Sequence, residues 1–322
     1  MRETILITGG SGFLGSQLAL RCIASGYRII GIDRRPPAQP ELWSKFTVQP
    51  VIEVDWGSFL QGEVLKTCFH LAASASVPLS VQNPYTDFQS LLPGTASLLS
   101  YIIRSQKACH LVLFSSAAVY GNPQMLPVEE SAQAQPLSPY GVHKYLAEQL
   151  LQSYSAIYGI TGSILRIFSA YGAGLRRQLF WDILHKYWAA LATGTPQIEL
   201  FGTGQESRDF IHSQDVAQAA LLVGEHPRLG QVQIVNVANG CEVTIAEAVA
   251  ALLASATLPV QVKFTGQARV GDPSRWVADV RCLQALGYEP QITLKSGLVE
   301  YFRWVQSLQL EKTGTIAETK VT

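Results

Sequence analysis

The chain has 322 residues, of which 48% are hydrophobic and 15% are charged, and it contains 26 glycines and 16 prolines. These values are typical of a globular protein with a sizeable core, and they exclude disorder, collagen and coiled coil. Lys plus Arg and Asp plus Glu both number 24, which gives a formal net charge of zero. The sequence therefore offers no basic field for binding nucleic acid or an anionic membrane surface.

The cysteines and the N-terminus indicate the compartment. There are five cysteines, an odd number, and they are scattered without a Cys-x-x-Cys pair, which predicts reduced thiols and a cytoplasmic protein. The first apolar run is too short for a signal peptide, and no later run approaches the roughly 20 residues of a membrane span. We therefore expect a soluble protein without a nucleic-acid or membrane partner.

The N-terminal residues predict a strand, a tight turn and a helix. Thr4–Thr8 is a β-branched run that stops at a glycine cluster, and Leu14, Leu18 and Cys22 then recur at helical spacing. Arg28–Asp33 predicts a second buried strand. The connection between the two strands has the length that parallel pairing requires, so we predict a βαβ unit.

The same alternation continues along the first half of the chain. Further strands are predicted at Val48–Val54, Thr67–Leu71 and His110–Ser115, and crossover helices at Asp87–Gln106 and Tyr140–Ser155. Strands that alternate with helices in this way predict an α/β fold with a doubly wound parallel sheet.

The pattern changes after about residue 168. Turn signals break residues 169–310 into short elements of mixed type, which predicts a smaller C-terminal mixed α/β lobe interleaved with the last elements of the sheet. Residues 1–168 are predicted to form the main domain. Residues 311–322 are mostly polar, and we expect a disordered tail there.

A glycine loop lies between the first strand and the first helix. Gly9, Gly12 and Gly15 have G-x-x-G-x-x-G spacing. The first allows a tight turn, the second lets a pyrophosphate approach the backbone, and the third lets the helix pack against the sheet. Because the helix N-terminus then directs unpaired N–H groups at the phosphates, the loop predicts a dinucleotide site.

The residues after the second strand bear on which dinucleotide binds. Asp33 follows the loop by roughly 20 residues, where a carboxylate can accept hydrogen bonds from the adenosine ribose. This position favours NAD, because a 2′-phosphate would meet a like charge. Arg34 and Arg35 could partner such a phosphate, so NADP remains the alternative.

A second group of polar residues predicts catalysis. Tyr140 and Lys144 are spaced i and i+4, which places a phenol and an ammonium on one helix face. A nearby cation favours the tyrosinate, which is a better base than a phenol with a pKa of about 10. Ser115–Gly121 follows a strand that should be central, at the sheet edge where ligands of open α/β sheets bind.

Together these motifs resemble the extended short-chain dehydrogenase/reductase family, and within it the nucleotide-sugar epimerases and dehydratases, of the UDP-glucose 4-epimerase type. The resemblance covers residues 4–310 and implies a Rossmann-type fold, with NAD bound by residues 1–168 and a nucleotide sugar bound mainly by residues 169–310. The motifs that carry it are the glycine loop, Asp55, Phe69–Ala73, the S-x-x-x-Y and Y-x-x-x-K segments, Arg208–His212, and Arg269–Asp272.

The resemblance also implies roles for individual residues. Tyr140 would take the proton from a sugar hydroxyl as hydride leaves the carbon, Ser116 would bond the same oxygen, and Lys144 would bond the nicotinamide ribose and lower the pKa of Tyr140. The implied cofactor contacts are Gly9, Gly12, Phe13, Leu14, Gly15, Asp33, Arg34, Asp55, Trp56, Leu71, Ala72, Ala73, Ser115, Tyr140 and Lys144. The implied substrate contacts are Ser74, Ser116, Ser169, Arg208, Arg269 and Asp272.

The residues after Ser116 favour one reaction over the others. Dehydratases of the family carry an Asp-Glu pair there, because elimination of water needs a further acid and base. This chain has Ala117 and Ala118, which cannot transfer protons, so the resemblance predicts an NAD-dependent epimerase that acts at C4 of a UDP-hexose through a transient 4-keto sugar. Ser169 and Leu91 stand where the family usually has Asn.

Other functions stay open. An NADP-dependent nucleotide-4-keto-sugar reductase would use the same serine, tyrosine and lysine, and a sugar-nucleotide dehydratase or decarboxylase or a non-catalytic dinucleotide-binding regulator would keep the fold. No metal site is predicted, since the six histidines lack ligand spacing. The resemblance implies a homodimer that pairs Asp87–Gln106 and Tyr140–Ser155 with their copies.

Overall fold

The computed structural model describes residues 2–74, 76–194, 197–228, 230–267 and 273–318, with side chains as far as residue 311. The strands are β1 (Thr4–Thr8), β2 (Arg28–Asp33), β3 (Lys45–Val48), β4 (Leu65–His70), β5 (His110–Ser116), β6 (Gly162–Ile167), β7 (Ser169–Tyr171), β8 (Gln197–Leu200), β9 (Ser207–Arg208), β10 (Phe210–His212), β11 (Gln233–Val237), β12 (Val243–Thr244) and β13 (Gln261–Phe264). The α-helices are α1 (Phe13–Ala24), α2 (Trp56–Phe59), α3 (Val77–Gln82), α4 (Pro84–Ser105), α5 (Pro139–Tyr158), α6 (Gln178–Thr193), α7 (Ser213–Glu225), α8 (Ile245–Leu253), α9 (Arg281–Gln284) and α10 (Leu294–Glu318).

The central layer is a seven-stranded parallel sheet in the order β11-β6-β5-β4-β1-β2-β3. From β1 the chain moves through β2 and β3 in one direction and through β4, β5 and β6 in the other. The strand order therefore reverses between β1 and β4, and ligands of open α/β sheets bind at the carboxyl ends of the strands at such a point. The predicted doubly wound Rossmann-type fold is confirmed.

Helices cover both faces of the sheet, which explains why its strands are almost wholly apolar. On one face α1 and α7 pack together, burying Leu18 and Val216 against Ile5. On the other face α4 and α5 pack together, burying Leu98 and Leu151. The two long helices predicted from the sequence are thus neighbours.

The strand predicted at Val48–Val54 is wrong. The third strand ends at Val48, and residues Val51–Glu53 form a 3₁₀ turn in which the Glu53 N–H donates to the Pro50 carbonyl at 3.0 Å. Pro50 has no N–H to give to a sheet ladder, so the strand cannot continue through it.

Beyond residue 168 the chain both completes the sheet and builds a second core. Strand β11 pairs with β6, so it belongs to the central sheet. A separate apolar cluster joins α6, α8, α10 and strands β8 and β13, with Tyr187, Leu252 and Tyr301 fully buried. The division at residue 168 stays a prediction.

The C-terminal segment differs in part from the expected disordered tail. Helix α10 continues to Glu318, so residues 311–318 are helical, whereas residues 319–322 lie outside the described part of the chain. The helix is anchored by Leu298, Tyr301 and Val305, which are fully buried. Once a helix is formed, each further residue adds one hydrogen bond at low cost. Of the helices in the described ranges, none has the length and apolarity to cross a membrane.

Candidate active site

The glycine loop joins β1 to α1, and its backbone packs closely because glycines carry no side chains. A Cβ on Gly15 would lie 2.1 Å from the Gly9 carbonyl oxygen, and a Cβ on Gly9, where φ is +76°, would lie 2.9 Å from the Ala72 nitrogen. Gly12 caps α1 in an extended conformation without any side-chain hydrogen bond. The first N–H groups of α1 therefore face a backbone-lined concavity that suits a pyrophosphate.

Phe13 and Leu14, two predicted cofactor contacts at the start of α1, pack against different apolar clusters. Phe13 packs against the apolar cluster of α6, α8 and α10, and a Cβ on Gly174 would lie 3.5 Å from the Phe13 ring. Leu14 packs on the α1 face of the sheet. The Phe13 ring thus ties the glycine loop to the second lobe.

Asp33 stabilises the loop from the end of β2. Its Oδ2 accepts from the Ser11 N–H at 3.1 Å and its Oδ1 from the Arg35 N–H at 3.2 Å. Each oxygen retains lone-pair capacity, so a ribose diol can also be bound there. Arg34 is exposed, and its side chain can reach solvent beside the same carboxylate.

The predicted adenine contacts lie at the start of α2. Asp55 caps this helix, accepting from the Ser58 N–H at 3.3 Å and from the Ser58 hydroxyl at 2.8 Å, and these hydrogen bonds lower the pKa of its carboxyl. Trp56 is buried, and its indole N–H donates to the Ser97 hydroxyl at 3.1 Å. The Trp56 side chain therefore belongs to the core, and only its backbone is left for a cofactor contact.

A buried hydrogen-bond chain beneath the cofactor loop was not among the predicted site residues. The Ala72 N–H donates to the Thr8 hydroxyl at 3.2 Å, which bonds His70 Nδ1 at 2.7 Å, and His70 Nε2 bonds the Thr95 hydroxyl at 2.9 Å. The Thr95 hydroxyl donates its proton to the Leu91 carbonyl, so it accepts from His70 Nε2. The Thr8 hydroxyl accepts from Ala72 and donates to His70 Nδ1. His70 is therefore neutral, with its proton on Nε2.

This chain fixes the segment Leu71–Ala73, which was predicted to contact the cofactor. Burial lowers the pKa of His70 to about 3, with a smaller contribution from the charge of Lys144. The Leu71 N–H donates to the Thr8 carbonyl at 3.1 Å, and Ala73 packs on the core. The histidine inside the Phe69–Ala73 motif was the signal that could have identified this network.

Ser116, Tyr140 and Lys144 come together at the carboxyl end of β5. Ser138 starts α5 by accepting from the Gly141 N–H at 3.2 Å, which sets the orientation of the helix face. The ammonium of Lys144 lies 5.9 Å from the centre of the Tyr140 ring and donates to the Phe114 carbonyl at 2.7 Å. Ser116 is near enough to Tyr140 to act on the pKa of its phenol, which it lowers.

The pKa of Tyr140 differs from the expected lowering. Burial raises it above its ordinary value of 10.0, while the hydrogen bond from Ser116 and the charge of Arg177 act in the opposite direction and the charge of Asp87 adds to the rise. Burial also lowers the pKa of Lys144 to about 8, opposed by Asp87 and Glu148. Desolvation is therefore the largest influence on the pKa of both groups.

Ser115, predicted to contact the cofactor, faces inward instead. It is buried, and its hydroxyl donates to Glu148 at 2.5 Å. Glu148 in turn accepts three hydrogen bonds from the Arg166 guanidinium, which also lies over the Tyr120 ring. A strand alternates its side chains between faces, so two adjacent serines cannot both face the cleft. The Ser115 hydroxyl is therefore used within the core, and the contact of this residue with the cofactor stays a prediction.

Three of the predicted substrate residues, Arg208, Ser74 and Ser169, make hydrogen bonds within the protein. The guanidinium of Arg208 is held by the carbonyls of Ser207 and Pro273, both at 2.8 Å, and lies over the Trp276 ring at 5.6 Å. The Ser74 N–H donates to Ser90 at 3.1 Å, and the Ser169 N–H donates to the Asp209 carbonyl at 3.0 Å. Arg269 and Asp272 lie outside the described residues.

Within the described ranges, no group of three or more His, Cys, Asp or Glu side chains is arranged to hold a metal ion. All five cysteines are free thiols, and Cys22, Cys68 and Cys109 are buried. The fold and the site therefore define an α/β protein with a dinucleotide loop and with a serine, a tyrosine and a lysine at the carboxyl edge of the parallel sheet.

Comparison with known proteins identifies the family. A sequence model of the NAD dependent epimerase/dehydratase family matches residues 5–238. The putative UDP-glucose 4-epimerase of Methanocaldococcus jannaschii is 29% identical over 314 residues, covering 94% of this chain and 98% of that protein. Because the family match spans more than half of the chain, the protein belongs to the NAD dependent epimerase/dehydratase family, and the predicted resemblance is confirmed.

Solved structures agree with this assignment. A UDP-N-acetylglucosamine 4-epimerase from Methanobrevibacter ruminantium, in complex with UDP-N-acetylmuramic acid, has a TM-score of 0.83 at 27% identity and covers 96% of this chain and 100% of that one. A UDP-glucuronic acid 4-epimerase from Bacillus cereus, in complex with UDP-glucuronic acid and NAD, has a TM-score of 0.84 at 25% identity and covers 95% of this chain and 99% of that one.

Proposed function

We propose that the protein is an NAD-dependent nucleotide-sugar 4-epimerase, an isomerase that inverts C4 of a UDP-hexose. The observation that carries this function is the convergence of Ser116, Tyr140 and Lys144 at the carboxyl end of β5, beside the glycine loop. A similarity to UDP-sugar 4-epimerases over nearly the whole chain supports the same activity.

The residues present fit NAD. No side chain fits at Gly9 or Gly15, because a Cβ there would collide with backbone atoms. The start of α1, which has no side-chain cap, offers N–H groups to the pyrophosphate, and Asp33 offers a carboxylate to the adenosine ribose. Asp55 is the proposed adenine contact. The chemistry that NAD supplies when bound is reversible hydride transfer.

The protein residues supply proton transfer and orientation. Tyr140 takes the proton from the 4-hydroxyl of the sugar, and Ser116 bonds the same oxygen. Lys144 provides the positive charge that favours the tyrosinate and a donor for the nicotinamide ribose. The configuration at C4 is inverted when the transient 4-keto sugar rotates and is then reduced on its opposite face. This requires no further acid.

The surroundings of Ser116 disfavour dehydration and decarboxylation. Ala117 and Ala118 occupy the turn that follows it, and the Ser116 hydroxyl accepts from the Ala118 N–H at 3.2 Å. Neither side chain can donate or accept a proton. An NADP-dependent 4-keto-sugar reductase would be compatible with this turn, and the cofactor requirement in solution distinguishes it from an epimerase.

The diphosphate is proposed to bind between the two lobes. Arg208 presents a guanidinium fixed by two carbonyls, which suits bidentate binding of a phosphate. Ser74 and Ser169 are proposed sugar or nucleotide contacts. For Arg269 and Asp272 the family resemblance is the support.

We propose a homodimer and a cytoplasmic location. Helices α4 and α5 share an outer face on which Tyr85, Phe88, Val142 and Leu146 are exposed, and an apolar face of this kind favours self-association. Five free thiols favour a reducing compartment.

The proposed function is tested with purified protein and a panel of UDP-, GDP-, CDP- and dTDP-sugars, without added nicotinamide, followed by chromatographic separation of the stereoisomers. An epimerase converts a UDP-hexose into its C4 epimer under these conditions, because its nicotinamide is recycled. Turnover that occurs only when NADPH is supplied, and in proportion to it, would overturn the proposal in favour of the reductase.

Replacing Tyr140 by Phe should abolish epimer formation while leaving NAD binding nearly intact, because only the phenol oxygen is removed. Tyr145→Phe, on the same helix, is the matched control and should retain activity. Epimer formation and a fluorescence titration with NAD provide the two measurements. Retained activity in Tyr140→Phe would contradict its assignment as the base.

A further inference from the structure

The backbone of the proposed catalytic tyrosine is held by a residue outside the predicted motifs. The Tyr140 N–H donates to the Ser80 hydroxyl at 3.0 Å, and Ser80 lies 60 residues earlier in the chain, on α3. Tyr140 is the second residue of α5, so its N–H is one of the first four of that helix, which have no acceptor within the helix itself. Ser80 therefore caps α5 from a different element.

Ser80 is the buried residue of an otherwise accessible helix. Of the six residues of α3, Ser80 alone is buried, at 0% exposure, whereas its neighbours Leu79 and Val81 are 56% and 59% exposed. A buried polar side chain between exposed apolar ones reverses the usual pattern, and burial of a polar group is costly unless the group is hydrogen-bonded. The hydrogen bond with Tyr140 gives this burial a physical reason.

The Ser80 hydroxyl has a defined direction. It donates its single proton to the Val77 carbonyl at 2.7 Å, so it acts only as an acceptor towards Tyr140. The helix itself is capped by Ser76, whose hydroxyl accepts from the Leu79 N–H at 3.3 Å. The acceptor that meets Tyr140 is thus fixed by α3.

Two further contacts hold the start of α5. A Cβ on Gly141 would lie 2.6 Å from the Ala118 carbonyl oxygen, so α5 packs directly on the turn that follows β5. The His143 Nδ1 bonds the Asp87 carboxylate of α4 at 2.7 Å. Helix α5 is therefore held against α3, α4 and that turn, and the contact from α3 is the one made at the proposed base.

We propose that Ser80 is a positioning residue: its hydroxyl holds the Tyr140 backbone at the place from which the phenol reaches the substrate oxygen. This rests on the function proposed above, because Tyr140 must be the reacting group. Ser80 itself transfers no proton and acts through the tyrosine. Its position on a separate helix explains why the motifs around Tyr140 do not indicate it.

The effect of Ser80 is on the rate rather than on substrate binding. Without this acceptor the Tyr140 N–H loses its partner and the first turn of α5 can shift. A misplacement of about 1 Å can lower a rate about 100-fold. The groups proposed to bind the diphosphate and the dinucleotide do not contact Ser80 through any hydrogen bond in the described residues, so kcat should fall while KM stays.

The test is Ser80→Ala, which removes the hydroxyl and little volume. We expect kcat to fall at least tenfold, with KM for the nucleotide sugar within about twofold of the unaltered value. Ser80→Thr keeps the hydroxyl and should recover most of kcat. Ser163→Ala is the matched control, because Ser163 is also 0% exposed and bonds His110 of the neighbouring strand at 3.1 Å.

Urea unfolding of Ser80→Ala and Ser163→Ala shows whether the two variants lose similar stability, and only the first should lose kcat. An unchanged kcat in Ser80→Ala, an equal loss in both variants, or no recovery in Ser80→Thr would overturn the proposal. Ser80→Cys, which keeps the volume but offers a weak acceptor, replaces Ser80→Ala if the latter does not fold.

A second measurement does not depend on the reaction. Hydrogen exchange of the full chain, followed by mass spectrometry of fragments that cover the start of α5, reports the protection of the Tyr140 N–H. Exchange there should be faster in Ser80→Ala and unchanged in Ser163→Ala. If the unaltered protein converts no UDP-sugar, the proposed function fails, while faster exchange still supports the hold of Ser80 on the tyrosine. Exchange that Ser80→Ala leaves unaltered contradicts the inference in either case.

Discussion

At the residue scale, the site is held by backbone groups as much as by the side chains that the motifs name. Arg208 is a clear case, because two carbonyl oxygens at 2.8 Å fix its guanidinium before any substrate arrives. A fixed fork loses little entropy on binding a diphosphate, which is why arginine suits this role better than lysine. Tyr140, in contrast, is not prepared for its role by its surroundings alone. Burial raises the pKa of its phenol, and the charges of the complete site must oppose that rise.

We predict that Arg208→Ala raises KM for the nucleotide sugar at least tenfold with a smaller effect on kcat. The expected loss is that of a charged hydrogen bond, about 1.5–3 kcal/mol. Initial-rate kinetics measure it. Arg281→Ala removes an exposed arginine that pairs with Asp279 and Glu129, and its KM should not change. An unchanged KM in Arg208→Ala would place the diphosphate elsewhere.

At the element scale, α4 and α5 have two different sides. Their inner side builds the core, with Leu98, Leu151 and Ala147 fully buried, whereas their outer side leaves Phe88 and Leu146 exposed. Pro93 lies within α4, yet the helix continues because packing on both α5 and the sheet outweighs one lost hydrogen bond. The proposed catalytic residues Tyr140 and Lys144, the Asp87–His143 pair and the proposed dimer face thus share one pair of helices.

We predict that Leu146→Glu converts the proposed dimer into a monomer, because a charge on the outer face of α5 would be buried without a partner on association. Light scattering coupled to size-exclusion chromatography measures the mass. Leu20→Glu on α1 is a matched control, since Leu20 is 42% exposed and Leu146 is 43% exposed. If both variants kept the mass of the unaltered protein, and that mass were a dimer, the interface would have to lie on another face.

At the scale of the whole molecule, buried titratable groups give the fold a dependence on pH. Burial lowers the pKa of His70 to about 3 and those of His110 and His212 to about 4. In the unfolded chain each histidine takes up a proton near 6.5, so acid favours unfolding. Asp209 acts in the opposite direction, because burial raises its pKa to about 6 although backbone N–H groups such as those of Asn239 and Gly240 donate to it.

We predict that the free energy of unfolding falls as the pH drops from about 6.5 towards 4, by up to about 1.4 kcal/mol per pH unit for each uncompensated proton. Urea unfolding at several pH values measures this dependence. His110→Gln removes one of the three histidines and should give a shallower fall. A stability that does not change over this range would contradict the prediction.

The alternation of strands and helices, the glycine loop and the order of the motifs were predictable from the sequence, because these depend on periodicity and on local turn chemistry. The end of β3 before Pro50 was also readable, because proline lacks an N–H for the sheet ladder. The sequence could not show that Ser115 turns inward to Glu148 or that His70 connects Thr8 to Thr95, because each depends on which face of an element is buried. The contact between Asp87 and His143 became visible in the tertiary structure alone. Contacts between distant segments follow from packing, whereas sequence patterns report only the neighbours along the chain.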